Sequence, residues 1–272
     1  MAPDDRLQQY VDVWERAVAD AVALLRSLEE EDWSRPTDLP GWDVHAVAAH
    51  LAHLESELAG NPQEDVPVPE AAHVVSLMGA YTERGPVARR DWPPAKIVEE
   101  LEAAARTRLA ELRADPPADP KGDPPRTPGG IGWSWETLLS NRPLDVWMHE
   151  QDVRRAVGRP GGLDSPAAAH VVGVFTRGLG YVVGKRVAPG AGTTVVVEVT
   201  GETPACAAVR VGDDGRAAPV DPPADPTVQL RLPTEAYVVL SGGRRRPDDV
   251  DVEVTGDAEL GRAVLAALAV TP

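Results

Sequence analysis

The chain has 272 residues, enough for two domains of ordinary size, and its 43% hydrophobic and 26% charged residues match a globular composition. A formal charge of −16 excludes a nucleic-acid partner, because the one basic cluster, Arg244 to Arg246, is too short to draw in a phosphate backbone. A single cysteine, Cys206, excludes a disulfide framework and a thiolate-rich metal site, so any metal ligands must be histidines and carboxylates.

From Arg6 to Glu30, apolar residues such as Leu7, Val11, Trp14, Val18 and Leu25 recur at helical spacing. Pro36, Pro40 and Gly41 then break the chain, and Asp43 stands as the cap of a second helix over Val44 to Ala59. Residues 60–70 read as a loop. A third helix is expected from Ala71 to Tyr81 or beyond, and a fourth over Asp91 to Leu112, with prolines near its first turn. The stretch from Ala114 to Gly132, rich in proline and glycine, reads as a connection. The helix after it, from Trp135 to Val157, stops at Gly158.

Beyond residue 165 a helix over Pro166 to Val183 precedes a β-branched run, Thr193 to Thr200. Further strands are expected at Ala207 to Val211, Thr227 to Leu232 and Val250 to Thr255, with helices at Pro233 to Leu240 and Ala258 to Leu268. The second half is thus an α+β domain with mostly antiparallel pairing. Boundaries of 1–163 and 164–272 are expected for the two domains. No run of about 18 apolar residues is evident, and the start, MAPDDRLQQY, lacks a basic segment followed by an apolar stretch. A cytoplasmic protein with no membrane partner is expected.

In RPLDVWMHEQDVRR the residues Arg142, Asp145, His149 and Asp152 fall within about 80° of one helix face at about 100° per residue. Asp145 and His149 stand one turn apart and can grip the same ion. A third ligand must come from another helix, and His50, in the second helix beside Val47, Leu51 and Leu54, is the best candidate. Two imidazoles and a carboxylate suit a borderline divalent ion, preferably zinc, and leave a position open for water or substrate. On spacing alone, a solvated or salt-bridged face with Arg142 paired to Asp145 is the commoner explanation of such a pattern. His45, His53, His73 and His170 read as surface or packing residues, Trp42 and Trp147 as core or pocket wall, and Cys206 as a buried or inert thiol.

Together the segments LPGWDVHAVAAHLAHLE and RPLDVWMHEQDVRRAVGRP resemble the signature segments of the mycothiol-dependent maleylpyruvate isomerase family. The tail VQLRLPTEAYVVLSGGRRRPDDVDVEVTGDAELGRAVLAAL resembles that family's second domain. The resemblance implies a DinB-like four-helix bundle carrying a divalent metal, followed by a smaller α+β domain of sterol-carrier type. It carries the ligand set onto His50, Asp145 and His149, with Asp145 one methylene shorter than the glutamate of the isomerase itself. It further implies mycothiol as thiol cosubstrate: the metal activates the thiol, and the thiolate adds to a small electrophile, leaving again in an isomerase or staying on the product in a transferase. An arginine from the second domain is implied at the site, with Arg244 or Arg245 as the local candidates. Arg142 and Asp152 are expected to orient His149 or the substrate.

Two alternatives stay open at this point. One keeps the metal without the thiol, as a hydrolase, lyase or cyclase. The other is a non-catalytic protein whose second domain binds a small apolar molecule.

Overall fold

The long helices of the first half begin where a side chain or a proline deals with free backbone N–H groups. The first, α1 (Asp5–Arg26), starts at Asp4, whose carboxylate accepts the N–H groups of Arg6 and Leu7. Next, α2 (Val44–Leu58) starts at Asp43, which accepts from Ala46 at 2.8 Å. Ser76 caps α3 (Leu77–Arg89), and α4 (Pro94–Ala114) opens on a proline. A Ser134 cap starts α5 (Trp135–Val157), which ends at Gly158 in the left-handed region, φ 67°. These elements belong to a computed structural model that describes residues 4–271, so the first three residues of the N-terminal segment considered above lie outside the described residues.

The third helix starts later than its apolar spacing suggests, at Leu77 rather than Ala71. Residues 71–75 have no cap of their own, and the first serine able to supply one is Ser76, whose Oγ accepts from Gly79 at 2.9 Å. Pro86 does not stop this helix.

The chain divides between Gly161 and Gly162 into two units. In the first, α1 packs on α4 and α5, while α2 packs on α3, α4 and α5. Leu7, Trp14, Leu51, Ile97, Leu101, Leu138 and Trp147 fill the interior. Gly85 lets α3 approach α2 closely, since a Cβ there would lie 2.6 Å from that of His53.

The second unit begins with α6 (Pro166–Arg177), a short α7 (Leu179–Tyr181) and a π-helical turn over Val182–Val187, where one continuous helix was expected to Val183. By length and composition Pro166–Val187 could cross a membrane, which corrects the expectation of no such run. Here Val171, Phe175, Leu179 and Val183 are instead buried in the unit's core, and α6 packs on the sheet. That sheet comprises β1 (Thr194–Thr200), β2 (Ala205–Val211), β3 (Ala217–Pro219), β4 (Val228–Pro233) and β5 (Glu253–Gly256), in the order β3-β2-β1-β4-β5. Of its pairings only β1 with β4 is parallel; β1–β2, β2–β3 and β4–β5 are antiparallel. Val195 faces Val228 and Val197 faces Leu230, and α8 (Thr234–Ser241) and α9 (Ala258–Ala267) help cover this core. The fold is α+β, a helical unit followed by a small mixed sheet.

Candidate metal centre

Helix α2 brings His50 and α5 brings Asp145 and His149 to one place, with both histidines buried and Asp145 partly exposed. Among the described residues these three form the group of side chains suited to an ion, each offering a ligand atom within 4.8 Å of the others. His50 Nε2 lies 3.8 Å and His149 Nε2 lies 3.7 Å from the same oxygen, Asp145 Oδ1. Those separations are too long for hydrogen bonds. They are close to the edge of roughly 3.4 Å that a tetrahedral ion with bonds of about 2.1 Å would span. The two imidazole rings meet edge to face at 4.8 Å between centroids. His50 Nδ1 and Asp145 Oδ2 lack a hydrogen-bond partner, and a divalent ion fits two imidazoles and a carboxylate that converge without bonding one another.

The electrostatics favour metal-ready forms. Burial pushes the His50 imidazolium toward its neutral form, with His149 and Arg142 adding to the effect, so the ring keeps a lone pair for a ligand bond. Burial alone would raise the Asp145 carboxyl, but the Arg142 guanidinium and the two histidines outweigh it and hold the group well below the usual carboxylate range. Arg142 Nη2 stands 3.0 Å from Asp145 Oδ2 as an ion pair, although the angles fall outside hydrogen-bond directionality.

Support continues outward on both sides. His149 Nδ1 is 3.1 Å from Asp152 Oδ2, which fixes the ring so that Nε2 points to the site, as carboxylate–histidine–metal arrangements do. Asp152 in turn accepts from Arg155 at 2.5 Å, and Arg155 donates to Asp38 at 2.7 Å. Trp42 leans over both ligand rings, 4.9 Å from His50 and 6.1 Å from His149 between centroids. Its indole N–H donates to Glu83 at 2.7 Å, and His73 lies 3.1 Å from the same carboxylate oxygen. Gly41, with φ 82°, makes room for this, since a Cβ there would sit 2.3 Å from the His73 ring.

Several residues take places that spacing did not suggest. Of the surface and packing alternatives His53 takes the second: it is 1% exposed and pairs with Glu64 at 2.5 Å. His73 has a partner in Glu83. His45 packs edge to face on Trp33, with its Nε2 2.9 Å from the Trp92 carbonyl. Cys206 is exposed on β2 rather than buried, and partial burial together with Glu198 pushes its thiol up, away from a reactive thiolate. Arg244 belongs to the second unit, where its Nη1 donates to the Gly242 carbonyl at 2.6 Å.

Sequence reading missed Glu55 altogether. This carboxylate is wholly buried in α2 and accepts from Trp14 Nε1 at 3.0 Å, from Arg108 Nη1 at 3.1 Å, and from Arg142 Nε and Nη2 at 3.1 and 2.8 Å. Burial would raise its pKa, but Arg142 and Arg108 keep it lowered. The signal available was its position five residues after His50 on a helix with no exposed face to put it on.

Comparison with known proteins adds the family. Crystal structures of the mycothiol-dependent maleylpyruvate isomerase and of a histidine-to-alanine mutant of it share the fold, with TM-scores of 0.57 and 0.53. Each alignment covers 93% of this chain and 94% of the other, at 16% and 15% identity. A search of curated proteins gives no match. The family model described as the mycothiol maleylpyruvate isomerase N-terminal domain matches residues 14–154, a span that contains His50, Asp145 and His149 and exceeds half of the chain, and the chain therefore belongs to that family.

Proposed function

We propose that this protein is a metal-dependent enzyme that uses a low-molecular-weight thiol, mycothiol by family, to isomerise a small electrophilic substrate or to transfer the thiol to it. The observation that carries this reading is the convergence of His50 Nε2, Asp145 Oδ1 and His149 Nε2 within the segment that defines the family. Three ligands of these types suit zinc and leave a coordination position for a fourth group. When bound there, a divalent ion lowers the pKa of a thiol beside it, so that a nucleophilic thiolate exists at neutral pH.

The chain's own residues have separable tasks. His50, kept neutral by burial, and His149, oriented by Asp152, supply nitrogen donors. Asp145 supplies an anionic oxygen that Arg142 holds from behind. Trp42 covers the two rings with an apolar face and limits water on that side, which strengthens every charge interaction within. Arg244 is carried in this reading as an arginine for the substrate, and a cytoplasmic location as the setting in which a reduced thiol is at hand.

The test is direct. Purified protein is analysed for metal, then assayed for loss of a conjugated electrophile with mycothiol, with another small thiol, and with water alone. One equivalent of zinc and turnover that requires the thiol support the proposal. Stoichiometric metal with thiol-independent turnover would move the protein to the hydrolase or lyase reading. Arg244→Ala is expected to lower turnover by at least tenfold with metal content unchanged; unchanged turnover removes Arg244 from the scheme.

A further inference from the structure

We infer that Glu55 is a positioning residue for the metal centre: acting through Arg142, it fixes Asp145 and holds α2 in the register that sets His50 opposite Asp145 and His149. The inference rests on the metal reading above.

The geometry is a bridge one atom wide. Arg142 Nη2 lies 2.8 Å from Glu55 Oε1 and 3.0 Å from Asp145 Oδ2, so a single nitrogen links a carboxylate of α2 to the ligand carboxylate of α5. His50 and Glu55 share α2; Arg142, Asp145 and His149 share α5. A slip of one helix along the other would separate Glu55 from Arg142 and His50 from its partner ligands together. Trp14 from α1 and Arg108 from α4 complete the ring of donors around Glu55, so four helices meet on one carboxylate. The Arg108 guanidinium also lies 4.8 Å over the Trp14 ring.

Stability alone does not explain such a cluster. Buried ion pairs recover little more than the cost of removing their charges from water, and well-packed apolar residues of similar volume serve as well or better. What they do provide is one allowed arrangement. The charge balance matters too. With Glu55 in place, Arg142 is shared between two carboxylates. Without it, Arg142 has Asp145 as its remaining acidic partner in this cluster and competes with a metal ion for that carboxylate.

The test measures Zn2+ affinity of the purified full-length chain by competition with a chromogenic chelator, alongside the thermal unfolding midpoint. Glu55→Gln keeps the shape and removes the charge. It is expected to weaken Zn2+ binding by about 10- to 100-fold, the range for residues that orient metal ligands. Leu101→Ala, in the α4 core and making none of the bridge's hydrogen bonds, serves as a control for stability: it should lower the unfolding midpoint while Zn2+ affinity stays within about twofold of wild type. Should Glu55→Gln fail to fold, Arg142→Lys tests the same bridge, because an ammonium lacks the planar fork, and a comparable loss of affinity is expected. Undiminished affinity in the variant that folds, or an equal loss in Leu101→Ala, overturns the inference. A wild-type chain that takes up no Zn2+ overturns the metal reading instead, so the two failures are distinguishable.

Discussion

The two units bury different chemistry. Among the described residues, the helical unit buries Asp32, His50, His53, Glu55, Glu83, Arg89, Arg108, Arg142, His149, Glu150 and Asp152, whereas the sheet unit's buried polar side chains are the three hydroxyls of Thr194, Thr234 and Ser241. The charges that pair on the sheet, Glu198 with Arg231 and Arg231 with Glu253, stay at the surface. A core built of Val195, Val197, Leu230, Leu232 and Val264 needs no partners beyond shape. A core with this much charge needs nearly every partner in place, since removing one leaves an uncompensated charge in a low-dielectric interior. The difference teaches where constraint by chemistry ends: the first interior is organised around a polar centre, the second around packing.

Substitutions that remove a ligand should separate the units most sharply. His149→Ala is expected to abolish stoichiometric metal, read by elemental analysis after gel filtration, while the sheet unit keeps its β signal in circular dichroism. Metal retained at one equivalent would reject His149 as a ligand. A core truncation in the other unit should do the reverse. Leu230, wholly buried in β4, should lose about 2–5 kcal/mol on change to Ala. Metal affinity measured in the folded state should not move, and a fall in affinity with Leu230→Ala would break the proposed separation. Asp152→Asn sits between these extremes. It keeps the shape beside His149 and removes the charge, so metal affinity should fall by about 10- to 100-fold, equivalent to roughly 1.4–2.7 kcal/mol. An affinity equal to wild type would leave Asp152 with a packing role.

The same contrast explains what could be read from the sequence. The apolar periodicity of α1, the cap at Asp43, the stop at Gly158 and the β-branched run over β1 are local signals, and they located most elements to within a few residues. The face shared by Arg142, Asp145, His149 and Asp152 was likewise local, because one helix carries all four. Glu55 was not legible. Its partners Trp14, Arg108 and Arg142 stand 41, 53 and 87 residues away, and no spacing rule reaches that far. The partners of His53 and His73 were not legible for the same reason, since Glu64 and Glu83 are brought to them by a loop and by the late start of α3. The strand β3 is three residues ending in proline, too short to carry an alternating pattern and acceptable only at the sheet edge where it lies.

The smallest expected effect concerns how the helical unit fails in acid. Glu64 lies in the loop before α3 and is tied to His53 Nδ1 and to Arg89, each at 2.5 Å, while Arg89 also holds Glu100. Partial burial would raise its pKa, but His53 and Arg89 outweigh that and bring it to about 2 from 4.5. A carboxyl depressed on folding binds fewer protons in the native state than in the unfolded one. Its contribution is therefore fully present above about pH 4.5 and is lost as pH falls from there through about 2. Glu64→Gln removes this term at every pH. Unfolding midpoints recorded from pH 7 to pH 2 should show wild type above the variant at neutral pH and the two curves converging below about pH 4.5. Curves that stay parallel to pH 2 would mean that Glu64 is not linked to folding, and that the tether of this loop to α3 rests on Gln63 with Arg84 and on His73 with Glu83 instead.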